Sequence, residues 1–286
     1  MRAIKTVFLL TALTLLLVLG GQAIGGQRGM TIGLVMAVVM NGVSYFFSDK
    51  IALMSSGAQP VSREQLPRLY TVMERLTAKA NLPMPKLYVI PQPAPNAFAT
   101  GRNPKHASVA VTAGLMDLMN DDELEGVIAH ELSHVRNYDI LITSIAATLA
   151  GAITWIASMG RWAMIFGGFG GSRDDDRGGG GLAAIVMLFV APFAAMLIQL
   201  GISRQREFAA DASGARMVGH PYGLISALEK LGAYNKRIPM DVPPATASLF
   251  IVAPLSAGQI FTGMFSTHPP LAERIAVLRS MTITKS

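Results

Sequence analysis

The chain has no cysteine and little charge. Of its 286 residues only 15% are Asp, Glu, Lys or Arg, 51% are hydrophobic and Cys is 0, where soluble domains average about 25% charged and about 45–50% apolar. Without cysteine there is no disulfide framework, no thiol nucleophile and no Cys-ligated zinc or iron–sulfur site. The apolar content excludes a disordered chain, and the lack of a Gly-X-Y period excludes collagen. The formal net charge is +6. No recognised motif or aromatic-basic cluster accompanies it, so nucleic acid is not an expected partner.

The missing charge is concentrated. Thr6 to Gln27, Gly29 to Ser48, Ile140 to Gly160 and Gly178 to Ser203 contain no Asp, Glu, Lys or Arg, and each matches the ~20 residues that a helix needs to cross a bilayer. A cleaved signal peptide is the competing reading of the first run, with Arg2 and Lys5 as its basic start, but a second apolar run follows almost at once. Thr143, Ser144, Thr148, Thr154, Pro192 and Gln199 dilute the third and fourth, which would also suit buried helices of a soluble core. Lys and Arg concentrate in cytoplasmic segments. Of the 24 basic residues only Arg28, Arg161, Arg173 and Arg177 fall between spans one and two or between three and four. Both termini and both large polar segments are therefore expected in the cytoplasm, and the basic excess reports topology and contact with an anionic lipid bilayer.

This divides the chain into an N-terminal hairpin (1–49), a polar segment (50–139), a second hairpin around a Gly-rich outer loop (140–202) and a last polar segment (203–286). Ser62 and Gln65 form a capping-box pair that opens a helix through about Lys79, stopped by Asn81 and the prolines at 83 and 85. KLYVI (86–90), NAFAT (96–100) and SVAVT (108–112) read as strands of a short antiparallel sheet. Asn120 and the acids at 121 to 123 suit a helix start, and that helix runs toward the third apolar run. Tyr222 to Asn235 is amphipathic, and Pro269–Pro270 can open a last helix through Ser280.

The helix after Asn120 carries His130-Glu131-Leu132-Ser133-His134, the H-E-x-x-H pattern. Four residues advance a helix by about 400°, so both imidazoles leave one face about a turn apart and can clamp one metal ion. Glu131 falls beside them, placed to accept a proton from a water whose pKa zinc lowers toward about 7. A catalytic zinc site takes three protein ligands, so one more is required. Glu207 and Asp211 in SRQREFAAD are again four apart. That spacing suits Glu207 as ligand and Asp211 as hydrogen-bond partner of a ligand histidine; it fits a surface ion-pair patch with Arg204 and Arg206 equally well. His106 and His220 lie in Pro/Gly-marked loops and have no assigned role. NAFAT can serve as an edge strand that pairs with an extended substrate, with Asn96 holding a substrate carbonyl and Ala97 and Phe98 beside it; a plain internal hairpin fits it as well.

HELSH, SRQREFAAD, STHPP and NAFATG together resemble the HtpX family of membrane-embedded zinc metalloproteases, distantly similar to CaaX prenyl endopeptidases. The resemblance covers essentially the whole chain. It implies a mainly α integral membrane protein with four transmembrane helices and a cytoplasmic zincin-like α+β metallopeptidase domain. It implies one Zn2+ per subunit on His130, His134 and Glu207, with Glu131 as general base and Asp211 behind the ligands. His268 of STHPP becomes a candidate catalytic donor to the oxyanion, beside its ordinary reading as a structural residue. The implied activity is stress-related endoproteolysis of misfolded or damaged membrane proteins at the cytoplasmic face of a bacterial inner membrane, with association with other membrane quality-control proteases left open. A CaaX-type processing peptidase and a non-catalytic membrane scaffold with a structural metal are the alternatives.

Overall fold

The structure, a computed structural model, describes residues 2–151, 204–235, 237, 240, 242, 244–252 and 269–282. Its first element, α1 (Arg2–Ser55), breaks at Gly25 and Gly26, the latter at φ 56°, into arms Thr6–Gln22 and Gly25–Ser55. The arms fold back on each other. The Asn41 amide donates to Thr14 Oγ1 at 2.9 Å and to the Leu10 carbonyl at 3.3 Å, and a Cβ on Gly29 would collide with the Gly21 carbonyl. Phe8, Leu15, Leu19, Ile32, Val38 and Phe46 remain exposed on the outside. The second arm, 31 residues, is long and apolar enough to cross a membrane, whereas the first is a shorter apolar helix.

The polar segment that follows builds a four-stranded sheet from β1 (Gln59–Pro60), β2 (Lys86–Ile90), β3 (Ala97–Gly101) and β4 (Ala107–Thr112), in the order β1-β2-β4-β3. The expected antiparallel sheet is corrected here: β4 pairs antiparallel with β3 but parallel with β2. All six β4 residues are buried, so this strand needs a neighbour on each side. The chain leaves β2, returns as β3 and turns again into β4, which makes β2 and β4 run the same way. Helix α2 (Pro67–Ala80) also starts later than expected. Gln65 Oε1 accepts the Ser62 N–H at 2.8 Å, but that contact closes a turn ahead of the helix, whose first residue is Pro67. Asn81, left-handed at φ 53°, ends it.

Thr112 caps α3 (Ala113–Leu118), and Asn120 with Glu123 forms a complete capping box on α4 (Asp121–Arg136). A two-residue turn then leads into α5 (Asp139–Gly151), an apolar helix whose Ile145 and Leu149 pack on Leu9 and Leu13 of α1. The rest of the third expected span, the Gly-rich loop and the fourth span lie outside the described residues. The chain resumes with α6 (Arg204–Val218), α7 (Tyr222–Asn235), the single turn α8 (Pro244–Ala247) and α9 (Leu271–Ser280). The main core gathers Leu69, Met73, Val109, Leu124, Ile128, Leu228 and Leu278 around α4.

Helix α4 is buried along most of its length because its neighbours approach closely. Gly126 faces the backbone of α7, where a Cβ would stand 2.5 Å from Leu224 N. Backbone atoms cannot yield as a side chain can. Gly126→Ala is therefore expected to destabilise the fold by about 1–3 kcal/mol, the usual cost of overpacking, read as a lower midpoint of thermal unfolding in detergent.

Candidate metal centre and active site

Three side chains from two helices converge. His130 and His134, a turn apart on α4, bring their Nε2 atoms to 3.2 Å. Glu207, in the first turn of α6, places Oε2 3.7 Å from His130 Nε2 and Oε1 3.5 Å from His134 Nε2. These donor atoms lie within 4.8 Å of one another, so they can share one ion. Two nitrogens and a carboxylate oxygen are the donor set that suits zinc in a site with an open position. Glu207 is buried, which excludes the surface ion-pair patch.

Behind the donors stands a buried ion pair that orients them. Asp211, one turn beyond Glu207, holds Oδ1 2.8 Å from His130 Nδ1. Arg274 of α9 donates to both Asp211 oxygens, from Nε at 2.8 Å and Nη2 at 2.7 Å, and from Nη1 to the Ile251 carbonyl at 2.9 Å. Burial works against the Asp211 carboxylate, but the Arg274 guanidinium and the His130 hydrogen bond outweigh it and hold the group well below the usual carboxylate range. Arg274 was not singled out in the sequence, although it sits on the helix face defined by Leu271, Ile275 and Leu278. A charge on an apolar face is the signal that marks a buried pair.

Glu131 is buried between the imidazoles and the sheet. Burial raises its pKa, and Glu207 adds to this; His130, His134 and the Ala99 N–H pull the other way without cancelling it. A carboxyl held above its ordinary range is suited to passing a proton on as well as accepting one. Burial alone would lower the His134 pKa, but Glu207, Asp139 and Glu131 raise it to about 9.

The three residues expected to hold substrate are occupied by the chain itself. The Asn96 amide donates to the Val252 carbonyl at 2.8 Å and its Oδ1 accepts the Ala97 N–H at 3.1 Å, so it is not placed to hold a substrate carbonyl. The Ala97 carbonyl accepts the Ile251 N–H at 2.9 Å, and the Phe98 ring meets Phe250 edge-on with centroids 5.0 Å apart. Alternation in NAFAT identifies the strand. It does not reveal that a segment some 150 residues later covers the outer edge. The β3 residue beside the metal ligands is Ala99, which lines a cavity of about 20 Å³ together with them, Ile140, Thr143 and residues 248–251. His268 lies outside the described residues.

A helix bearing two histidines and a glutamate, a second helix supplying a carboxylate, a small sheet alongside and an apolar helix that follows the first and packs on an apolar hairpin define a membrane metallopeptidase. The chain belongs to peptidase family M48, whose model matches residues 63–282. It is 59% identical over 275 residues to the protease HtpX homolog of Desulfatibacillum aliphaticivorans, covering 96% of this chain and 88% of that one. It is 54% identical over 278 residues to the protease HtpX homolog of Syntrophobacter fumaroxidans, covering 97% of this chain and 98% of the relative. Among solved structures, that of S. mikatae Ste24p superposes with a TM-score of 0.53 at 21% identity, over 97% of this chain and 65% of that longer one, a likeness of fold. The protein is thus a membrane metalloprotease, as its resemblance to the HtpX family implied.

A protonated His134 cannot bind a metal, so the ion must displace that proton. Apparent affinity for zinc is expected to rise by about tenfold per pH unit up to the His134 pKa of about 9. Chelator competition at a series of pH values checks this, and a flat profile contradicts it.

Proposed function

We propose that this membrane metalloprotease uses zinc to cut misfolded or damaged membrane proteins at the cytoplasmic face of a bacterial inner membrane. The observation that carries the reading is the position of the donors. His134 lies five residues before α5, the apolar helix packed on the α1 hairpin, and Glu207 lies in the first turn of the chain's return at α6. A centre bracketed in this way reaches substrates anchored in the same bilayer.

When bound to His130, His134 and Glu207, zinc would supply Lewis-acid polarisation of a peptide carbonyl and lower the pKa of a nearby water. The remaining work falls to this chain's residues. Glu131 takes the proton of the attacking water and passes it to the departing amine. Asp211 keeps the His130 Nδ1 proton in place, and His268 retains the role of donor to the oxyanion. A substrate strand meeting β3 does so beyond the part that residues 251 and 252 already hold, with the Ala99 N–H given to Glu131. A structural zinc site is normally closed by four protein ligands; among the described residues three come together, which favours catalysis over a scaffold. The high identity to HtpX proteases favours general proteolysis over prenyl-peptide processing.

Glu131→Gln should abolish cleavage of a membrane-protein substrate while stoichiometric zinc stays bound. Full cleavage by that variant would sink the mechanism. Orientation is open to a separate measurement, which the absence of native cysteine makes clean. Single cysteines placed between 161 and 181 are expected to react with an impermeant reagent from the periplasmic side; labelling from the cytoplasmic side alone would overturn the four-span arrangement.

A further inference from the structure

We propose that Asp139 is a positioning residue of the metal centre, orienting His134 from the membrane-side corner as Asp211 orients His130. The inference rests on the reading of His130, His134 and Glu207 as metal ligands. The two imidazoles have matching surroundings. His130 presents Nδ1 to Asp211 at 2.8 Å, and Asp211 is gripped by Arg274. His134 presents Nδ1 to Asp139 Oδ2 at 3.4 Å, and the other Asp139 oxygen stands 3.9 Å from Arg206 Nη1. Each histidine therefore faces its own carboxylate, and each carboxylate its own guanidinium. An Nδ1–H directed at a carboxylate fixes the tautomer that leaves the Nε2 lone pair for an ion. The Nε2 atoms are the ones that meet beside Glu207.

The local backbone is what makes this contact. On an uninterrupted helix a residue five positions after His134 would point about 140° away from it. Tyr138, left-handed at φ 57°, breaks α4 and turns Asp139 back toward the imidazole. Asp139 is only 5% exposed, so it is not a solvated surface acid. It is also the first residue of α5, while Arg206 immediately precedes Glu207 on α6. Asp139 thereby ties the orientation of one ligand to the two points where the described chain meets its apolar segments.

The test uses the full-length protein in detergent micelles, with zinc affinity from chelator competition, the visible spectrum of the cobalt(II) form and the unfolding midpoint of the metal-free form. Asp139→Asn is expected to weaken zinc binding about 10–100-fold, the usual effect of removing such a partner, and to shift the cobalt bands, with any fall in the metal-free midpoint shared by Asp139→Glu and so not in step with affinity. Asp139→Glu should restore most of the affinity. Native zinc affinity and an unshifted cobalt spectrum in Asp139→Asn would overturn the proposal. So would a fall of metal-free stability in both variants in step with affinity, which would mark Asp139 as a structural corner only. If the unaltered protein binds neither metal stoichiometrically, the ligand reading fails and the proposal with it.

Discussion

The arrangement of the site depends on one fully buried guanidinium. Arg274 has no exposure to solvent, and an arginine taken out of water costs several kcal/mol unless its donors are met in good geometry. Asp211 meets two of them and the Ile251 carbonyl a third. The fold therefore cannot form around Arg274 unless α9, α6 and the segment at 251 come together in one way. Breaking such a pair by removing one partner costs about 3–5 kcal/mol, so the same contact that orients His130 also holds three separate parts of the sequence in register. A catalytic orientation is built here from a structural necessity.

The second constraint is the junction of the histidine-bearing helix with an apolar one. Helix α4 is buried on nearly all sides, packed against α2, α6, α7 and β3, with Gly126 and Gly214 admitting the neighbouring backbones. Its two histidines are thereby fixed relative to the sheet. At its end the chain turns sharply into α5, which docks on the first arm of the α1 hairpin. Thr100 at the end of β3 reaches the same helix, its hydroxyl 2.7 Å from that of Ser144. Sheet, metal helix and apolar bundle are thus linked within a few residues of the ligands.

Much of this was legible in the sequence because it is encoded locally. The H-E-x-x-H spacing, the Asn120 capping box and the i, i+4 relation of Glu207 and Asp211 each depend on residues about a turn apart, and the charge-free runs are contiguous in the sequence. What was not legible depends on long-range pairing or on backbone hand. The parallel alignment of β2 with β4 follows from the insertion of β4 between its neighbours, which alternation cannot reveal. The role of Asp139 follows from a left-handed Tyr138, a conformation that a tyrosine does not advertise. Asn96, at the start of an expected edge strand, turns instead to Val252, a partner that lies far away in the sequence and carries no strand pattern. Arg274 is the exception, since its place on an apolar helix face was readable.

Charge balance explains why the site calls for a divalent ion. Glu131, Asp139, Glu207 and Asp211 are all buried within the centre, and the nearby guanidiniums are Arg206 and Arg274. Fully ionised, four carboxylates against two cations leave two negative charges in a low-dielectric interior, where uncompensated charge is expensive. Two shifts work against that surplus: against the effect of burial, Glu207, Asp139 and Glu131 raise the His134 pKa to about 9, and burial with the Glu207 charge raises that of Glu131. A dication among His130, His134 and Glu207 would remove the need for both. It would favour neutral His134 and stabilise the negative charge on Glu131, the form of that carboxylate that acts as a base. The surplus of buried acid thus prepares the centre for a metal.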